Sequence, residues 1–531
     1  MVAKSTVAEA APGDVVLAAS TVEDEGADCP VNPPGSLPSS SRLPDPFRKF
    51  DGSRITSKAD WRCRRAETRE LAERYVYGDK PAKPATVSGT VSSSSITVNV
   101  SQNGRSASFS ASVQLPSGTG PFPAVIVYGG FGADTATIRS AGAAVINYDP
   151  FTVGREGTPR NNKQGAFYTI YGNNSSTGLL MAWAWGVSRI IDVIQQSGGN
   201  VLRTDIGVTG CSRYGKGAFT AGVFDQRVAL TMPIESGSAG VPAFRAIAAE
   251  SGAQPLSSAY GEQPWLGDAF GSYTGNPNGL PVDTHQMVGM VAPRGLFIME
   301  NPHVDWLGSR SGSVAALGGA EIYKALGAGE NISYWSDVQD GTHCATRNEW
   351  RTPLQQNIQK FLVKTGNAAG VFRISSRKAG NLAEWRDWTT PTLADGPTNP
   401  PTTPPTGTPT TPPVNPTTPP ATPPTVPPTT PPAGGAGCAA SMSVNQWNGG
   451  FVATVRVTAG SAPVTGWTVA LTLPSGVSVT NAWNVNRSGN SGAVQFTNVG
   501  YNGSIAAGQS TEFGFQGTGT GTGLSPTCTA R

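Results

Sequence analysis

The chain has 531 residues and a formal net charge of +3, and 14% of its residues are charged, against roughly a quarter in ordinary soluble domains. That balance leaves no basic footprint for nucleic acid, and no apolar run approaches the ~18 residues of a membrane-spanning helix. The length suffices for more than one domain, and 66 Gly and 44 Pro announce long stretches without a packed core.

The opening twenty residues carry no signal-peptide core, since the apolar stretch Val15–Ala19 is too short, so a native signal is expected to be missing or replaced. Residues 1–26 are small and polar and are expected to be a disordered N-terminal segment. From 27 to 390, strand-like and helix-like runs alternate. Ile96–Val100 and Ala107–Gln114 flank Asn103-Gly104, which predicts a hairpin. Pro123–Tyr128 predicts a buried strand ending at Gly129-Gly130, and Ala143–Tyr148 the next. Leu179–Gln196 is helical in period, with Leu180, Trp183, Val187, Ile190, Ile191 and Ile194 on one face. Strands follow at Ile206–Thr209, Val228–Ile234, Gly295–Met299 and Ile332–Trp335. Strands alternating with helices predict an α/β fold, a parallel sheet covered on both faces.

Residues 391–436 form a linker, almost wholly Pro and Thr between Pro397 and Pro432. Such a tract buries no core and favours extended polyproline II; at ~3.1 Å per residue it reaches on the order of 100 Å. Residues 437–531 then read as short strands punctuated by Gly, Asn and Ser, among them the runs at 451–457 and 467–473. They predict a small all-β sandwich, with Trp467 in its core.

An ester hydrolase needs a nucleophile on a sharp strand-to-helix turn. Gly210-Cys211-Ser212-Arg213-Tyr214-Gly215 follows a strand and precedes a helix-like run, although its second glycine stands three residues after the serine rather than two. Of the three histidines, His343 follows the last long strand, where this fold carries its base; His285 and His303 are expected to be structural or at the rim. Glu235, at the end of the strand Val228–Ile234, is a candidate for the acid that orients the imidazole. Asp305 is its rival, and Asp337 and Asp340 are weaker alternatives. Six cysteines without a CxxC motif argue for disulfides. Cys211 precedes Ser212 and Cys344 follows His343, so a bridge between them would clamp the nucleophile and base loops together. Cys29–Cys63 and Cys438–Cys528 then follow as local pairs. With no HExxH motif there is little to build a zinc site on, and neither metal nor cofactor is expected.

The segment Gly-Cys-Ser-Arg-Tyr-Gly-Lys (210–216) resembles the nucleophile motif of the glucuronoyl esterases, carbohydrate esterase family 15. The likeness extends over about 27–388, through the segments 233–237, 261–266, 292–296, 305–308 and 341–344. It implies the three-layer sandwich of the α/β-hydrolases. It also implies cleavage of the ester between 4-O-methyl-glucuronic acid of glucuronoxylan and lignin alcohols. By the same resemblance Ser212 is the nucleophile, His343 the base and Glu235 the acid of the fungal-type arrangement, with Asp305 kept open because some bacterial members carry the acid one strand later. Arg213 matches an arginine that helps stabilise the oxyanion. Lys216, Gln254, Glu262 and Trp306 match residues that hold the glucuronate. Residues 438–528 resemble family 2 carbohydrate-binding modules, with Trp447, Trp483 and Tyr501 in the positions of a sugar-stacking aromatic row. The implied protein is a secreted, extracellular monomer acting on cell-wall polysaccharide, cellulose or another, with no nucleic-acid or membrane partner. An acetyl- or feruloyl-type xylan esterase is the alternative enzyme; a carbohydrate-binding protein with an inactive hydrolase domain is the alternative of another class.

Overall fold

A computed structural model of the chain describes residues 20–395, apart from 34, 36–38 and 131, and residues 437–531, apart from 448, 449, 484, 500 and 501; the side chains of 445, 447, 452, 481 and 483 also lie outside the description. The chain divides into two units, Met1–Thr403 and Pro404–Arg531.

The first unit is built on a ten-stranded sheet: β1 (Thr86–Val91), β2 (Ser95–Gln102), β3 (Arg105–Gln114), β4 (Phe122–Tyr128), β5 (Ala144–Tyr148), β6 (Leu202–Cys211), β7 (Val228–Ile234), β8 (Gly295–Met299), β9 (Ile332–Trp335) and β10 (Phe372–Arg373). Their spatial order is β1-β2-β3-β5-β4-β6-β7-β8-β9-β10. The first strands pair antiparallel, and from β5 onward the sheet is parallel. The expected hairpin is β2–β3, turned by Asn103 and Gly104, both at positive φ, as a two-residue turn with this twist requires. β6 begins four residues before its predicted start, and β1 and β10 had no sequence prediction.

Strand alternation divides the core into two layers. Ala124, Ile126 and Tyr128 of β4 pack on the side of the helices Leu179–Gln196 and Arg213–Phe224. Val125 and Val127 pack on the other side, against Trp350, Leu354 and Ile358 of the helix Asn348–Ile358. Because both faces are covered, strands such as β4 and β8 read as unbroken apolar runs rather than as alternation. The helix Leu179–Gln196 has its predicted bounds.

Residues 20–26, expected to be disordered with the rest of 1–26, are held in the fold; residues 1–19 lie outside the described residues. Glu23 is inserted among Lys80, Arg189 and Arg227, and Arg227 also pairs with Asp192 at 2.6 Å and Asp225 at 2.7 Å. Burial alone would raise the Glu23 carboxyl; the charges of Lys80, Arg189 and Arg227 overcome it and hold the group far below the usual carboxylate range. A buried carboxylate with three cationic partners fixes a segment that its small polar composition would leave free. Cys29–Cys63 then ties the segment to the helix Trp61–Ala72.

The second unit has two four-stranded antiparallel sheets. β11 (Cys438–Trp447), β12 (Gly450–Ala459), β17 (Ser510–Thr518) and β14 (Ser478–Trp483) form one, in that order; β15 (Asn486–Ser488), β16 (Ala493–Thr497), β13 (Trp467–Thr472) and β18 (Thr527–Ala530) form the other. Trp467 is fully buried, stacks on Phe513 at 5.4 Å and donates from Nε1 to the Asn502 carbonyl at 2.8 Å, so its polar edge is satisfied within the core. Cys438–Cys528 joins the first strand to the last. Trp447 and Trp483 close β11 and β14 of one sheet; their side chains, and the whole of Tyr501, lie outside the described residues.

Candidate active site

Four parallel strands end level with one another. Cys211 pairs with Ile234, Ile234 with Met299, and Met299 with Trp335. The residues that follow, Ser212, Glu235, Glu300 and Ser336, therefore share the carboxyl rim of the sheet, where open α/β sheets bind ligands. The backbone N–H groups of Ser212 and Glu235 still donate to the neighbouring strands, to Ile234 at 2.9 Å and Met299 at 2.7 Å.

Ser212 stands between β6 and the helix Arg213–Phe224 with φ 59° and ψ −126°, a conformation that non-glycine residues rarely adopt. Of the six described non-glycine residues at positive φ, Ser212, Glu235 and Cys344 lie together here. The displaced glycine has a packing cause: a Cβ on Gly215 would lie 2.6 Å from the Ile234 carbonyl, so the first turn of the helix leaves no room for a side chain against the end of β7 at this position. Gly132, at φ 74°, lies on the Cys211–Cys344 disulfide, where a Cβ would meet Cys211 Cβ at 2.5 Å and Cys344 Cβ at 3.0 Å. The loop after β4 thus rests against the turn that carries Ser212.

His343 Nδ1 and Glu235 Oε2 are 2.6 Å apart. The same oxygen accepts from the Cys344 N–H at 2.8 Å, while Oε1 faces Asn301 Nδ2 at 3.4 Å and Arg347 Nε at 3.7 Å. Glu235 is fully buried and His343 is partly open. The exposed indole of Trp306 meets the imidazole in a T-shaped contact with ring centroids 4.7 Å apart. Among the described residues no hydrogen bond joins Ser212 Oγ to the ring, whose Nε2 lies 3.5 Å from Cys344 Sγ. Cys211, Glu235, His343 and Cys344 bring ligand-type atoms within 4.8 Å of one another, but the two sulfurs are bonded to each other and offer no thiolate.

The other candidates line the same rim. Arg213 Nη1 donates to Glu156 Oε2 at 2.7 Å, and Nη2 lies 3.8 Å from Glu262 Oε1. Gln254 Nε2 donates to Glu262 Oε2 at 2.9 Å. Lys216 is buried and donates from Nζ to the Ser236 carbonyl at 2.5 Å. Burial pushes its ammonium down to about 8, Glu262 and Glu300 work in the opposite direction, and Arg213 adds to the fall.

The alternative carboxylates are engaged elsewhere. Asp305 pairs with Lys378 at 3.1 Å and is largely exposed, Asp337 pairs with Arg373, and Asp340 pairs with Arg347. His285 is buried beside Trp388, its pKa lowered by burial to about 4, and His303 bonds the Val338 carbonyl. Two residues escaped the sequence reading. Glu300 follows β8 as Glu235 follows β7, so the signal at the strand end was present. It is fully buried, and among the described residues neither of its oxygens has a hydrogen-bond partner. Burial, with the charges of Glu235 and Glu250, pushes its carboxyl well above the usual range. Glu156 stands in a loop with no local pattern to mark it.

A strained serine at a strand-to-helix turn, beside a histidine–carboxylate pair on the rim of a mostly parallel sheet, defines a serine hydrolase of the α/β-hydrolase class. Residues 98–327 match the fungal glucuronyl esterase family and residues 438–530 the cellulose binding domain family. The 4-O-methyl-glucuronoyl methylesterase of Hypocrea jecorina is 38% identical over 376 residues, which span 70% of this chain and 80% of that protein. The catalytic domain of the Hypocrea jecorina glucuronoyl esterase superposes with a TM-score of 0.64 at 37% identity, covering 68% of this chain and all of the domain. A serine-to-alanine variant of the Sporotrichum thermophile glucuronoyl esterase, in complex with methyl 4-O-methyl-β-D-glucopyranuronate, also gives 0.64, at 36% identity over 69% of this chain and all of that one. The chain belongs to the glucuronoyl esterase family. The names of these relatives give no support to the acetyl- or feruloyl-type alternative.

Proposed function

We propose that the chain hydrolyses the ester between 4-O-methyl-glucuronic acid of glucuronoxylan and lignin alcohols. The observation that carries the reading is the buried Glu235 bonded to His343 beside the strained turn at Ser212, in a chain so similar to 4-O-methyl-glucuronoyl methylesterases. In this mechanism Ser212 Oγ attacks the ester carbonyl as His343 takes its proton, and catalytic hydrogen bonds of this kind tighten once substrate binds. Glu235 holds the imidazole with Nδ1 protonated and stabilises its positive charge. The Arg213 guanidinium and the positive end of the helix it begins face the developing oxyanion. His343 then returns the proton to the departing alcohol, and water, activated by the same base, releases the glucuronoyl group.

The esterified carboxyl of the substrate is uncharged, so recognition falls to ring hydroxyls and the methoxy group. Glu262 accepts from hydroxyls, Lys216 and Gln254 donate, and Trp306 offers an apolar face. The esterase domain is assigned to 27–390, extended by the held segment 20–26, the linker to 391–436 and the binding module to 437–531. Trp447, Trp483 and Tyr501 would stack on cellulose and raise the local concentration of substrate. The protein is read as secreted and monomeric, with neither nucleic acid nor membrane as partner. Hydrolysis of a benzyl ester of 4-O-methyl-glucuronate tests the reading. It is expected to be lost in Ser212→Ala; undiminished turnover in that variant, or a preference for acetylated xylan, refutes it.

A further inference from the structure

Glu156 lies in the loop after β5, distant in sequence from every other residue at the site, and its side chain is only 6% exposed. Both of its oxygens are used. Oε2 accepts from Arg213 Nη1 at 2.7 Å and Oε1 from Trp265 Nε1 at 2.5 Å. Trp265 is itself buried, and its ring lies against both cations of the site, 5.7 Å from the Arg213 guanidinium carbon and 5.2 Å from Lys216 Nζ. One carboxylate therefore fastens a mobile type of side chain to a fixed indole. Glu262, the other acid near Arg213, is 40% exposed and no closer than 3.8 Å. The Arg213 side chain is also 40% exposed, and without an anchor a long exposed arginine samples several rotamers. A donor that stabilises a transition state has to be in place before the charge develops.

We infer that Glu156 is a positioning residue for ester hydrolysis, acting through Arg213; this rests on the oxyanion role proposed above for Arg213. Glu156 has two opposing effects. Its negative charge weakens the field that Arg213 applies to an oxyanion, and its hydrogen bonds fix the direction of the guanidinium. The bidentate use of the carboxylate, with both partners donors, makes orientation the larger effect. Because the two donors meet different oxygens, a glutamine would turn an NH2 donor toward either Arg213 or Trp265 and leave that one without its acceptor.

The test is a double-mutant cycle on a methyl ester of 4-O-methyl-glucuronate with wild type, Glu156→Gln, Arg213→Ala and the double variant. Glu156→Gln is expected to lower kcat roughly ten- to a hundred-fold, short of the loss of a whole oxyanion donor, with KM within about two-fold. In the Arg213→Ala background the same change is expected to alter kcat by less than about two-fold. Trp265→Phe removes the indole donor, leaves the carboxylate, and is expected to lower kcat roughly three-fold or more, again only when Arg213 is present; this arm decides the matter if Glu156→Gln does not fold. An unchanged or raised kcat in Glu156→Gln, full additivity with Arg213→Ala, or a loss confined to KM overturns the inference. Arg213→Ala at full kcat would remove the oxyanion reading and this one with it. A crippled Arg213→Ala beside a fully active Glu156→Gln would remove this one alone.

Discussion

Replacing Glu235 by alanine removes the acceptor that holds His343 Nδ1 at 2.6 Å and the Cys344 N–H at 2.8 Å. The loss can be sized from the geometry. When Ser212 gives up its proton the imidazole becomes a cation, with its charge centre about 4 Å from that of the carboxylate. At an effective dielectric of about 20 that attraction is roughly 4 kcal/mol, or about a thousand-fold in rate. Freedom of the ring to adopt the wrong tautomer adds to this. Glu235→Ala is therefore expected to lower kcat on the order of a thousand-fold or more, with KM little changed. Asp305 supplies the contrast. It is 63% exposed and paired with Lys378, and a surface pair of that kind is worth about 0–1 kcal/mol to stability. Asp305→Ala is expected to keep kcat within about three-fold of wild type. Initial rates on a benzyl glucuronate ester, with thermal melts to confirm folding, measure both variants. If Asp305→Ala falls as far as Glu235→Ala, or if Glu235→Ala keeps a tenth of the wild-type kcat, this account of the acid is wrong.

The Cys211–Cys344 bridge closes a loop of 133 residues, which corresponds to about 5 kcal/mol in the chain-entropy model. Replacing both cysteines by serine is expected to lower the Tm by roughly 5–10 °C, and kcat as well because the two active-site loops lose their clamp; calorimetry showing a fall of less than about 2 °C would exclude this contribution. Glu300 predicts a pH dependence of stability. Its folded pKa is raised, so once the pH passes the ordinary carboxylate range the unfolded chain gains by ionising while the folded chain does not. Stability from this group is accordingly lost as pH rises. Glu300→Gln is expected to be close to wild type in Tm at pH 4 and more stable at pH 8, and melts at the two pH values showing no widening gap would refute the shift.

Much of the molecule was legible in the sequence. Strands such as β4 and β8 are apolar throughout, the helix Leu179–Gln196 repeats at 3.6 residues, and residues 437–531 read as short strands, so the α/β unit and the β unit are consequences of local composition and period, while the expected Pro/Thr linker lies, but for 391–395, outside the described residues. The strand-to-helix turn at Ser212 and the place of His343 after the last long strand were visible as well, because a strand end and a turn are local events. What the sequence could not decide was which carboxylate meets the imidazole. Glu235, Asp305, Asp337 and Asp340 all lie near strand ends, and a distance of 2.6 Å between residues 108 positions apart follows only from the register of β7, β8 and β9 and the loop after β9. Glu23 shows the same limit. Its segment is small and polar, and only the arrival of Lys80, Arg189 and Arg227 from elsewhere in the chain makes it ordered. Glu156 gains its character from its partners, and Glu300 from its burial, in three dimensions. Period and turn chemistry act over a few residues and can be read along the chain, whereas burial and charge pairing depend on which distant residues the fold brings together.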